Sequence, residues 1–380
     1  MPRPTARPKA APDRPQLWDI FCHVVDNFGD VGVLWRLSAA LAARGQQVRL
    51  WIDDASALTW MAPGALAGEW LGVRVMPWAD ADKASVCSAL PCADVWIEGF
   101  GCEIPPGFVA HFADRIGANP GPAQPVWINL EYLSAQAYVE RNHRLPSPVL
   151  SGPAQGWTKY FFYPGFTAGS GGLIRNAVAD AAASHAHPTP KSANGVRQVS
   201  LFCYEPEALP ALLTGLGQNG RPSQLLVAHG RATQAVRGLL ARDDFRLPGN
   251  LQVEYLPTLS QTQFDALLGR CDLNMVRGED SLVQAIWAGK PFIWQAYPQT
   301  DAVHRAKLDA LLDWLQADSA VRDLHRAWNG FCQPAELAHW TQTLADVDGR
   351  WASQVTDARQ RLLLQDDLPT RLLRLVDENR

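Results

Sequence analysis

The chain has no CxxC pair, no run of eighteen apolar residues and no GxGxxG turn leading from a strand into a helix. Each absence closes off a class of function. Its seven cysteines, odd in number and scattered, read as reduced thiols of a cytoplasmic protein, with no spacing suited to zinc or redox work. Without an apolar run of membrane length, nothing in the sequence reads as a spanning helix. A formal charge of −4 supplies no basic field to recruit nucleic acid or an anionic membrane. The opening MPRPTARPKAAPDRP is basic but has no apolar core, so residues 1–15 read as a disordered tail and not as a signal peptide.

What is present suits two packed cores. At 380 residues, 47% hydrophobic and 19% charged, the chain reads as two domains of about 150 residues each. Residues 16–174 are expected to form the first, 175–197 a linker, and 198–350 the second. Helices over 351–380 can then cross back onto the first.

The most informative stretch is WDIFCHVVDNFGDVGVLWRLSAALAARG, Trp18 to Gly45. Trp18 to Val25 reads as a strand buried on both faces. Leu34, Leu37 and Leu41 have helical spacing, and Gly45 supplies a stop. Between them lies the turn Asp26-Asn27-Phe28-Gly29-Asp30-Val31-Gly32, at the strand end where parallel sheets bind ligands. A turn that only cradled an anion would not carry two acids, so Asp26 and Asp30 read as chemistry. The alternative is that Asp30 caps the helix and Asp26 closes an Asx-turn.

Further strands are expected at Gln47–Ile52, Gly72–Met76, Asp94–Ile97 and Pro125–Leu130, with helical stretches around Leu58 and Val109. Such alternation implies a parallel sheet covered on both faces. Asp53 and Asp54 read as helix-capping residues and not as a metal pair. The aromatic-rich segments from Asn129 to Leu173, with Tyr132, Phe161, Phe162 and Tyr163, read as irregular, serving either recognition or the base of the first domain. His185 and His187 lie in the linker without partners for a metal.

The alternation restarts at Gln198–Tyr204, Gln224–His229, Leu251–Leu256, Cys271–Met275 and Pro291–Trp294. Two such sheets without a dinucleotide fingerprint suggest facing Rossmann-like domains, an α/β class with an interdomain cleft. In the run RGEDS, Arg277-Gly278-Glu279-Asp280-Ser281, a helix begins near Glu279 and Gly289 stops it. Its free N–H groups, Ser281 and Arg277 could hold a diphosphate, or Asp280 and Ser281 could simply cap the backbone. Tyr204 and Tyr255 end strands at the same edge of that sheet, where either could clamp a ring or pack internally.

The runs DNFGDVGVLWRL, INLEYLSA, FFYPGFTAGSGGL, LFCYE and NMVRGEDSLVQA, in that order from about residue 17 to 300, resemble the EarP-type protein-arginine rhamnosyltransferases. The resemblance implies a GT-B fold, TDP-β-L-rhamnose as donor substrate, no cofactor or metal, inversion at the sugar, and an arginine of translation elongation factor P as acceptor. It implies Asp26, Asp30 and Glu279 as catalytic acids. Substrate contacts are implied at Asn27, Phe28, Gly29, Phe202, Tyr204, Tyr255, Arg277, Gly278, Asp280 and Ser281, with Gln261 and Phe264 as weaker donor contacts. Two other functions remain open at this level: a GT-B enzyme acting on a lipid or polysaccharide hydroxyl, and a non-catalytic nucleotide-sugar binder.

Overall fold

The computed structural model describes residues 14–25, 28–118, 123–176, 195–218, 220–297, 303–332, 343–344 and 349–380. The amino-terminal tail up to residue 13, the linker histidines His185 and His187, and the turn residues Asp26 and Asn27 lie outside the described residues.

The first sheet contains β1 (Leu17–Cys22), β2 (Gln47–Ile52), β3 (Val73–Pro77), β4 (Val95–Gly99), β5 (Val126–Leu130), β6 (Pro146–Pro148) and β7 (Thr158–Phe162). Their order is β3-β2-β1-β4-β5-β7-β6, parallel except where β6 runs against β7. Central β1 places Ile20 opposite Leu50 and Ile97. Trp18, Ile20 and Cys22 enter one core and Phe21 the other, which explains a strand apolar at nearly every position. The exception, Asp19, is buried but held by Nε and Nη2 of Arg49 and by the Trp51 indole.

The aromatic segment expected to be irregular contains the strand β7, paired in parallel with β5. Phe162 is fully buried in the first core, whereas Tyr132 remains 39% exposed and stacks on Phe100 at 4.6 Å. The packing reading of that segment therefore holds for Phe162 and not for Tyr132.

The second sheet contains β8 (Arg197–Leu201), β9 (Ser223–Val227), β10 (Leu251–Tyr255), β11 (Leu273–Arg277) and β12 (Phe292–Gln295). Its order is β10-β9-β8-β11-β12, and every pairing is parallel. The strand-order reversals at β1 and β8 put the sheet edges that follow these strands where open α/β sheets bind ligands.

The helix Gly29–Ala42 is set against the first sheet by a close approach. A methyl group at Gly99 would lie 2.4 Å from Leu34 Cδ1 and 2.8 Å from the Phe21 carbonyl oxygen, so β4 can reach β1 and this helix only with glycine there. The helix starts at Gly29 and not after Gly32. Neither glycine needs a positive φ, so nothing in the backbone delays the helix.

The two cores interlock. Leu133, Phe166 and Leu173, carried by first-lobe loops, join the second-lobe core, where Phe166 lies 4.6 Å from the Trp314 ring. In return, Leu368, Leu372, Leu375 and Val376 of the last helix, Leu368–Glu378, join the first-lobe core. Asp367 caps that helix at the Thr370 amide and pairs with Arg44. Among the described residues no helix is long and apolar enough to cross a membrane.

This packing sets two expected outcomes. Leu372→Ala should destabilise the first lobe by about 2–5 kcal/mol, the cost of a buried leucine cavity, read by urea denaturation. His325 is fully buried, and burial lowers its imidazole to about 4 although its ring nitrogen contacts the Val321 carbonyl. The unfolded chain takes up that proton near the ordinary value of about 6.5, so stability is lost as pH falls from there towards 4 and this loss then levels off. His325→Gln should flatten that part of a stability–pH curve.

Candidate active site

The helix Gly29–Ala42 of the first lobe points its start at the second lobe, whose helix Asp280–Ala288 begins directly after β11. Between these two helix starts lies a cavity of about 230 Å³. Phe28 and Gly29 form its first-lobe wall. Opposite them stand Phe202, Tyr204 and the whole run Arg277 to Ser281, with Gln261 and Phe264 closing a third side. Eleven sequence-predicted residues, separated by some 250 positions in the chain, therefore line one space.

Arg277 is the last residue of β11 and is buried. Its guanidinium lies 4.3 Å from the Tyr204 ring centre and 4.5 Å from that of Phe202, a stacking that holds the planar cation without neutralising it. The backbone turns sharply after it. Gly278 has φ +66°, its N–H donates to the Gln295 carbonyl at 3.2 Å, and its own carbonyl accepts from the Trp294 indole at 2.6 Å. Ser281 accepts from the Arg277 amide at 3.1 Å and donates to the Arg277 carbonyl. The hydroxyl thus closes the turn and fixes the helix start, so the capping reading of Ser281 holds although the residue lines the cavity.

Three carboxylates surround this turn, and each faces a cation. Glu279 accepts from Lys307 and, at 2.8 Å, from the amide of Leu133 in the first lobe. Asp280 pairs with Arg36 at 2.8 Å. Asp265, one helix away, takes both terminal nitrogens of Arg36 at 2.8 Å each. Burial works against the charge on Arg36, but Asp280 and Asp265 outweigh it and hold the guanidinium above its ordinary value. Burial pushes the Asp265 carboxyl up despite Arg36. A two-pronged contact of that length needs a carboxylate facing a cation, so the pair is read as ionised.

Other sequence-predicted residues lie elsewhere. Asp30 is buried in the first turn of its helix, and its carboxylate accepts from the Val25 amide at 2.9 Å. It holds the acidic bend in place, without lining the cavity. Tyr255 ends the edge strand β10, and its ring packs against the second core and under the Arg237 guanidinium at 4.7 Å. It too does not line the cavity, because the chain turns inward only at Pro257, Thr258 and Leu259. Asp53 braces the bend, accepting from the Val24 amide at 3.0 Å and pairing with His23 at 2.7 Å.

Sequence reasoning passed over Arg36, Trp60 and His229, which also line the cavity. Trp60 meets Phe28 edge-on at 5.1 Å. A signal for Arg36 existed, since Gly29, Gly32 and Arg36 share one helix face at spacings of three and four. His229 follows β9 at the ligand-binding edge of its sheet.

A profile of the family described as Elongation-Factor P (EF-P) rhamnosyltransferase EarP matches residues 18–377. The chain belongs to the EarP family. Curated relatives called protein-arginine rhamnosyltransferase include one from Pseudomonas putida, 40% identical over 86% of this chain and 91% of its own length. One from Neisseria meningitidis serogroup B is 34% identical, covering 95% and 97%. A solved structure, described as the structural basis for EarP-mediated arginine glycosylation of translation elongation factor EF-P, superposes with a TM-score of 0.59. It is 26% identical and covers 96% of this chain and all of its own. A glycosyltransferase of kitacinnamycin, 15% identical with a TM-score of 0.52 over 96% of this chain and 99% of its own, shares the fold. The architecture is GT-B, and the EarP-family chain is an enzyme of the glycosyltransferase kind.

Proposed function

We propose that this EarP-family enzyme transfers L-rhamnose from TDP-β-L-rhamnose to an arginine side chain of translation elongation factor P, inverting the sugar centre without a metal or cofactor. The observation that carries the reading is the stacked, buried Arg277 beside the start of the helix Asp280–Ala288, inside a cavity completed by the first-lobe residues Phe28 and Gly29. Glu279, Asp280 and Asp265 are each engaged by a cation, and Arg277 and the helix end stand beside them on the cavity wall. Such a surface suits a departing diphosphate. Phe202, Phe264 and the turn from Pro257 to Leu259 supply the apolar face a nucleoside needs. The acceptor is a translation factor, which assigns the reaction to the cytoplasm.

The acceptor sets the order of events. An arginine guanidinium has a pKa above 12 and an ordinary aspartate one near 4. That gap of roughly nine units is about 12 kcal/mol, too much for Asp26 to deprotonate arginine beforehand. Proton loss therefore follows C–N bond formation, when the nitrogen has become acidic. Asp26 is assigned as that late base, and before then it grips the planar fork and aims one nitrogen at the sugar. Asp30 steadies the bend through the Val25 amide. Glu279, tied to Leu133 and Lys307, registers the second lobe against the first. Attack from the face opposite TDP gives inversion with no covalent sugar–enzyme stage.

Mass spectrometry of elongation factor P incubated with this protein and TDP-β-L-rhamnose should find one deoxyhexose on a single arginine; a sugar on a hydroxyl, or none, rejects the reading. Asp26→Asn should reduce transfer by at least about a hundredfold, the scale of a lost acid–base group, and leave TDP affinity nearly intact by calorimetry. Arg277→Ala should weaken TDP binding by about tenfold or more, as expected on losing a charge-assisted contact; unchanged affinity removes the diphosphate role.

A further inference from the structure

Arg36 reaches out of the first lobe to two carboxylates of the second. Its side chain is 10% exposed and its partners Asp265 and Asp280 are 8% and 19% exposed. The three residues sit on three helices, Gly29–Ala42, Gln261–Arg270 and Asp280–Ala288. One turn earlier on the first of these, the Gly32 carbonyl accepts from the Gln261 side chain at 2.9 Å, again across the lobes. Arg36, Gln261 and Asp280 all line the cavity.

We infer that Arg36 is a positioning residue: its insertion between Asp265 and Asp280 clasps the lobes shut over the donor and fixes the helix start that holds the diphosphate. The inference rests on the proposed transfer reaction and adds a residue that closes the site. The reasoning is one of desolvation. With the lobes apart, all three groups are hydrated and cost nothing. With the lobes together, two buried carboxylates are tolerable only against a cation, and a planar fork that donates in several directions is the one side chain that serves both. Asp280 would otherwise present its charge to the diphosphate, so the same contact makes the cavity hospitable to an anion. Most of the nucleotide-facing wall belongs to the second lobe alone. Losing the clasp should therefore slow the transfer step far more than it weakens binding of TDP to the free enzyme.

The test uses the full-length protein and the variants Arg36→Met, Arg36→Lys and Arg36→Met in an Asp265→Asn, Asp280→Asn background. Arg36→Met should lower kcat by at least about tenfold with TDP affinity by calorimetry changed less than about threefold. Arg36→Lys, with a cation but no fork, should recover only part of the rate. In the background without the two carboxylates, Arg36→Met should cost much less than in the parent, since its partners are gone. Small-angle scattering with TDP present should show Arg36→Met more open than the parent. A kcat equal to the parent's, or a full cost of Arg36→Met in the doubly neutralised background, overturns the inference. So does a lower melting temperature with unchanged kcat, which would make the contact merely structural. If the parent fails to modify elongation factor P, the functional reading falls instead, and the scattering comparison still decides the clasp: equal dimensions for parent and variant reject it.

Discussion

The structure depends on how negative charge is neutralised where the two lobes meet. Asp265, Glu279 and Asp280 lie on or beside the helix start that faces the cavity, and Arg36 and Lys307 engage them. Arg277 is stacked on two aromatic rings. Were Asp280 left bare, the same helix start would repel an anion. An ion pair taken out of water gains little net stability but penalises heavily the loss of either partner. It therefore specifies one arrangement of the lobes more than it strengthens it, which is what a site assembled from two bodies requires.

The alternating fold was legible because both sheets are parallel, apart from β6, and their central strands are buried on both faces. Central strands such as β1 then appear as continuous apolar runs, and the helices between them carry ordinary stops such as Gly45 and Gly289. The strand β7 was not legible. Thr158, Lys159, Tyr160 and Phe161 are half-buried in succession near the sheet edge, and only Phe162 is fully buried, so TKYFF shows neither alternation nor a uniform apolar run. The interlocking of the lobes was also hidden in part, because Leu133 and Phe166 sit in loops with no period to reveal which core they serve.

Within the site, local order in the chain revealed Glu279 and Asp280 but not the cations that pair with them. The run from Arg277 to Ser281 announces a helix start after a strand, and Asp280 at such a start looks like an ordinary cap. Its actual partner, Arg36, lies across the cleft, as does that of Asp265, 229 positions away. Nothing in a strand–turn–helix pattern reports on such a distance. Tyr255 shows the converse limit. Ending a strand at the ligand-binding edge fixes where a backbone stops, while the direction of the ring depends on pleat and neighbours, here Arg237.

A guanidinium is a poor nucleophile because its charge is delocalised and its proton is held tightly. An enzyme that modifies it gains little from a stronger base and much from geometry, since aiming one nitrogen at a sugar carbon can supply several kcal/mol by itself. That demand explains an architecture in which few side chains are free to move. Asp30 is spent on the backbone of the acidic bend, Ser281 on the turn after β11, and Glu279 on an amide of the opposite lobe. Each of these groups fixes the position of a neighbour, and Glu279 and Ser281 also line the cavity. Arg277 is left facing the cavity, with Phe28 and Gly29 on the wall across from it.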